Sequence, residues 1–179
     1  MHQQVLSFWF EQLRPEQWFK ASAMLDNTIR EKFAQLLQQA RCGELYQWRN
    51  SAEGRLAEII LLDQFSRNIH RNTPQAFATD PVALVLSQEA VHNGTLEQLT
   101  STEQRDFLLM PWMHSESAYI HEQSLPLYKT HASAGCYRAA LQHKAIIDRF
   151  GRYPHRNAIL GRTSTAEELE FLQQPGSSF

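Results

Sequence analysis

The chain is predicted to be all-α: a single domain of about eight or nine helices in antiparallel, tetratricopeptide-like pairs. Three observations carry this expectation. Apolar residues recur at three- and four-residue spacing along most of the sequence, and no window keeps the two-residue alternation of a strand. Ser, Thr, Asp or Asn stands ahead of these apolar runs, and Gly or Pro follows them. At 179 residues, 42% apolar and 20% charged, the chain is long and apolar enough to bury a core. The domain is expected to fill 1–179, with 174–179 as a loose tail. No fixed period marks a regular solenoid.

The elements follow in order. Residues 4–13 put Leu6, Phe10 and Leu13 on one helical face, and Phe8 and Trp9 widen it. Pro15 and Trp18–Phe19 read as an irregular connection. Asp26 or Asn27 can cap a helix that runs to Arg41 and stops at Gly43, with Ile29, Phe33, Leu36, Leu37 and Ala40 as its buried stripe. Ser51 caps a helix from Ala52 into Phe65 that is apolar on more than one face and therefore central. Thr73–Pro74 starts a short turn, and Asp80–Pro81 starts a helix that Gly94 ends. Ser101 with Gln104 forms a capping box for 102–110, where Pro111 interrupts. A helix over 115–130 should kink at Pro126. The last long helix, 134–150, ends at Gly151, and Ser164 with Glu167 caps 165–173.

Composition narrows function. A net charge of -2 argues against nucleic acid and membrane surfaces as partners. Cys42 and Cys136 make no disulfide framework, and the N-terminus has no basic leader or long apolar run, so a cytoplasmic location is expected. Arginine outnumbers lysine, and Arg is the residue suited to bidentate, partly buried recognition of carboxylate or phosphate.

Six arginines lie in two stretches, 63–72 and 148–162. DQFSRNIHRN and DRFGRYPHRN match at Asp63/Asp148, Phe65/Phe150, Arg67/Arg152, His70/His155, Arg71/Arg156 and Asn72/Asn157. The two helices that carry them are expected to pack side by side with like ends together, bringing both HRN segments to one place. Clustered guanidinium groups need carboxylates or a bound anion to offset their repulsion. The expected ligand-binding set is therefore Arg67, His70, Arg71, Arg152, His155, Arg156, Asn157 and Arg162, supported by Asp63, Asp80 and Asp148. The same residues can equally form a buried network that fixes helix packing and needs no ligand.

Proton-transfer candidates are His114, Glu116, His143 and His155. Against this, adjacent residues His114, Ser115 and Glu116 diverge on a helix, and a mid-helix His143 can be an ordinary core residue. Glu89 and His92 have a bundle di-metal spacing without a second copy, so no metal is expected. No phosphate-binding glycine motif is present, no cofactor is implied, and neither cysteine has the basic context of a nucleophile. The aromatic N-terminal segment reads as core, or as a groove for a peptide or protein partner.

VLSFWF at 5–10, LLDQFSRNIHR at 61–71, FATD at 77–80, MPWMHSE at 110–116, and His143 followed by IIDRFGRYPHRNAILGR resemble an uncharacterised, mainly bacterial family, domain-of-unknown-function family 924. The resemblance covers nearly the whole chain and is weakest at 117–131. It implies a fold similar to tetratricopeptide-like helical repeats and supplies no reaction.

Overall fold

A computed structural model describes residues 1–178, and these are helical throughout, with no strand among them. Helix α1 (His2–Ser7) runs unbroken into a π-turn at Phe8–Gln12. Pro15–Trp18 forms one turn, α2, where an irregular connection was expected. Helix α3 (Ala23–Arg41) begins earlier than its expected cap: Ser22 Oγ accepts from the Leu25 N–H at 3.3 Å. Asp26 does not cap it, because its carboxylate is taken by Arg71 and Asn68. The stripe Ile29, Phe33, Leu37 and Ala40 is buried as the spacing requires.

Ser51 caps α4 (Ala52–Ile60), which continues through a π-turn at Leu61–Phe65 into α5 (Ser66–Ile69). This rod is buried nearly all round; Leu56, Ile59, Ile60, Leu61, Leu62 and Phe65 are inaccessible to solvent. Its first turn sits under the 3₁₀ turn Tyr46–Asn50. A Cβ added at Gly54 would lie 2.0 Å from the carbonyl oxygen of Trp48, a backbone atom that cannot rotate away. Gly54→Ala should therefore destabilise by about 2 kcal/mol, as overpacking does. A urea midpoint equal to that of the parent would refute the close approach.

Helices α6 (Asp80–His92), α7 (Thr95–Gln98), α8 (Thr102–His114), α9 (Ala118–His131), α10 (Ala134–Phe150) and α11 (Ala166–Phe171) complete the chain. Asp80 opens α6 without capping it, because its carboxylate serves two arginines. The Ser101–Gln104 box forms as expected. Pro111, in contrast, does not interrupt α8. The ring removes one intrahelical bond, and nearby carbonyls find outside donors: Ser87 Oγ donates to Leu108 and Tyr128 Oη to Leu109, both at 2.5 Å. Pro126 likewise lies inside α9. Gly151, at φ 68°, ends α10 in the left-handed conformation that favours glycine. The last capping box is Thr165 with Glu168, one residue beyond the expected pair.

Helix α8 is central, packing on α4, α6, α9 and α10. It lies between the rod at 52–69 and α10, which corrects the expected side-by-side packing of those two helices. Most apolar side chains form one core. A second, small cluster of Ile146, Ile147 and Tyr153, with Phe150 and Phe171 against it, holds the C-terminal segment. The segment from 174 closes a turn in which Ser177 is buried and donates to Leu172 O at 3.2 Å; Phe179, the last of the expected loose tail, lies outside the described residues. Among the described residues, no helix is long and apolar enough to cross a membrane.

Candidate functional site

One side of α8 borders a gap in the core. Asp106, Phe107, Met110, Met113 and His114 line a cavity of about 760 Å³ that α8 shares with the π-turn of the central rod, α10 and the Tyr153–Ile159 segment. The π-turn places Asp63 and Gln64 toward α8. Asp63 is fully buried. Its carboxylate accepts from Gln64 Nε2 at 2.6 Å and Arg67 Nη1 at 3.2 Å, and meets His114 Nδ1 at 2.7 Å.

Arg67 reaches on to Asp80 with both terminal nitrogens, at 2.8 and 2.9 Å. From the other motif, Arg156 Nη1 meets the same carboxylate at 3.3 Å, and its Nη2 donates to His114 O at 3.0 Å. The two stretches thus meet at Asp80. The guanidinium of Arg156 lies 4.6 Å from the ring centroids of both Phe77 and Tyr153, a cation–π arrangement. Its buried Nε has no hydrogen-bond partner among the described residues.

The electrostatics follow from burial. Burial pushes the Asp63 carboxyl up, but His114 and Arg67 more than offset it, and Asp63 stays ionised well below the ordinary carboxylate range. Burial and then Arg67 push His114 down, against the pull of Asp63. The imidazole is neutral near pH 7, and an ionised Asp63 fixes the proton on Nδ1. His114 Nε2 is then an acceptor on a ring that lines the cavity. Burial lowers His143 to about 3 and His155 to about 4, helped by neighbouring His114 and, for His155, by Arg156 first. Arg156 itself is lowered by burial and by Arg67.

Of the expected binding residues, Arg67, Arg71, His155 and Arg156 line the cavity, as do His114 and His143. The others are elsewhere. His70 is half-buried off the cavity wall. Arg152 pairs with Glu168 at 2.6 Å, and holds that carboxyl down to about 2. Arg162 grips Glu116 with two nitrogens at 2.6 and 2.9 Å, while Asn157 donates to Ser164 and accepts from Arg162. These three clamp the C-terminal segment to itself and to the end of α8. Asp148 is exposed and pairs with Lys144 at 2.6 Å, because Gly151 ends the helix before Arg152 can fold back on it.

Glu116 faces a smaller hollow of about 400 Å³ on the far side of His114 and Arg156. Sequence reasoning missed Asp26, Gln64 and Tyr153 as site residues. Asp26 looked like a cap, and Gln64 is turned inward only by the π-turn. Tyr153, inside the motif, is fully buried and donates to Met113 O. The Cys136 thiol on the cavity wall is pushed far up by burial and is no nucleophile at neutral pH. Among the described residues no three His, Cys, Asp or Glu side chains gather to hold a metal.

Fold and site define an all-helical protein built around an arginine- and histidine-walled cavity. The chain belongs to the family described as "Bacterial protein of unknown function (DUF924)", which it matches over residues 5–176. It is similar to the solved structure of a protein of unknown function from Agrobacterium tumefaciens, with 34% identity, 96% of each chain covered and a TM-score of 0.91. No curated protein matches it.

Proposed function

We propose that the cavity binds a small anionic ligand, a carboxylate or phosphate, beside Arg156. The observation that supports this reading is the incomplete pairing of Arg156. It is buried, its one carboxylate is shared with Arg67 and 3.3 Å away, and its Nε is unsatisfied. Every other arginine of the two motifs has at least one carboxylate oxygen at 2.9 Å or less. A buried donor without a partner costs about 1–3 kcal/mol, and an anion removes that cost when the guanidinium turns toward the cavity that Arg156 lines.

Arg67 and Arg156 already balance Asp63 and Asp80 in charge. A bound anion therefore favours protonation of His155 first, and binding should tighten as pH falls toward about 4, the value of His155 in the ligand-free fold. His114 Nε2 is the proton acceptor such a ligand meets, which is where a reaction would begin.

A thermal-shift panel of phosphates, carboxylates and sugar phosphates at millimolar concentration tests the reading, since a ligand of the native state raises stability by mass action. Arg156→Lys should weaken any hit about tenfold although it keeps the charge, because a guanidinium fork is lost. A flat response across the panel would sink the anion reading and favour the other one, a non-enzymatic helical protein that binds a peptide or protein partner and whose Arg and His motifs are structural.

A further inference from the structure

We propose that the ligand is amphipathic: a single anionic head on an unbranched or ring-bearing apolar body about 10 Å long. This rests on the anion reading above and adds the ligand class. The cavity is graded along α8. His114, with Arg156 and Arg67 beside it, forms one end. One helical stripe back lie Met113, Met110 and Phe107. Seven residues separate Phe107 from His114, which at 1.5 Å each is about 10 Å.

Facing this stripe is the segment after α2. Trp18 and Phe19 line the same cavity, and Phe19 stacks on Phe107 with centroids 6.2 Å apart and planes 6° from parallel. Phe19 is nevertheless 73% exposed. It also meets Trp18 edge-on at 6.4 Å; a large apolar side chain this exposed over a cavity mouth gains contact when an apolar body fills the space beneath it. The volume, about 760 Å³, is that of a pocket for a molecule far larger than phosphate or acetate.

The end opposite the arginines selects against a second charge. Glu103 and Asp106 line it, with Lys20 next to Phe19 as the countering cation, and the two carboxylates outnumber it. Asp106 is already engaged, accepting from Ser133 N at 2.8 Å and Ser133 Oγ at 2.6 Å where α10 starts. A ligand with anionic groups at both ends would set one of them against these carboxylates. Monoanionic acids with an acyl or arylalkyl body fit both ends; dianions of the same length do not.

The test uses four probes on the full chain by calorimetric titration: acetate, decanoate, decanedioate and 1-decanol. Decanoate should bind at least about 100-fold tighter than acetate, because several methylenes leave water. It should also bind at least about tenfold tighter than decanedioate and than decanol. Ala139→Phe, which adds a ring on the cavity wall, should abolish decanoate binding, and Phe19→Ala, at an exposed position that leaves the fold intact, should weaken it. Decanoate no tighter than acetate, or decanedioate equal to decanoate, would overturn the amphipathic class and leave the anion reading standing. Decanol equal to decanoate would overturn the anion reading itself. No binding by any of the four would overturn the amphipathic class, and with a flat response to the phosphates of the thermal-shift panel it would overturn the anion reading as well.

Discussion

Replacing Asp63 with Asn should destabilise the protein by about 3–5 kcal/mol, the cost of removing one partner from a buried charged network. Asp63 is inaccessible to solvent and serves three side chains at once. An amide carries one acceptor oxygen where the carboxylate has two. It presents N–H groups to donors, and it removes the charge that offsets Arg67. Asp80 would then face Arg67 and Arg156 alone. The penalty should shrink when Arg67→Met is added, since the two changes remove charges that offset each other; the double-mutant cycle reads this as non-additivity. Urea midpoints for the four proteins check it. A loss under about 1 kcal/mol, or strict additivity, would mean that the network does not hold α8 to the central rod.

The second large effect is pH. His143 and His155 are lowered to about 3 and about 4 in the folded chain by burial, against about 6.5 unfolded. The unfolded chain therefore binds more protons between these values. Stability is full above pH 6.5 and falls as pH drops through the window down to the folded values. From pH 6.5 to 5 the two histidines together remove about 3 kcal/mol. His70, His114 and His121 are lowered too and act in the same direction. The carboxylates have the same sign at lower pH: Asp63, Glu116 and Glu168 are depressed, so their contribution is lost only as pH falls through their folded values. The acid limb should thus begin near pH 6.5 rather than near 4.5. His143→Gln should flatten it. Urea midpoints that stay constant from pH 7 to 5 would show the histidines to be accessible in the folded chain.

Helix existence was legible from spacing, since burial stripes such as Ile29–Phe33–Leu37 depend only on the helical period. What misled was short polar side chains near helix starts. Asp26 and Asp80 have the chemistry of caps, but a guanidinium from a distant segment competes for the same oxygens and wins. Prolines misled for the opposite reason: the ring of Pro111 removes only one intrahelical bond, and the surrounding turn is anchored from outside by Ser87 on Leu108 O and Tyr128 on Leu109 O. The double motif pointed to the right place without pointing to the right residues. Its copies share letters but not backbone, for Asn72 sits at φ 63° and Asn157 at φ -57°. So Arg71 and Arg156 reach the cavity while Arg152 and Asp148 do not. Nothing local announces the π-turn that aims Asp63 and Gln64 inward.

The small cluster under the C-terminal segment bears on how readily that segment opens. Tyr153, His155 and Arg156 wall the cavity, and the segment carrying them is held by the small cluster, by Glu116, and by the contacts of Tyr153 with Met113 O and of Arg156 with Asp80 and His114 O. Its local unfolding free energy lies below that of the rod at 52–69, which is buried on all sides. Amide exchange in 151–171 should accordingly be faster than in the rod, and a ligand that touches both Arg156 and α8 should slow it.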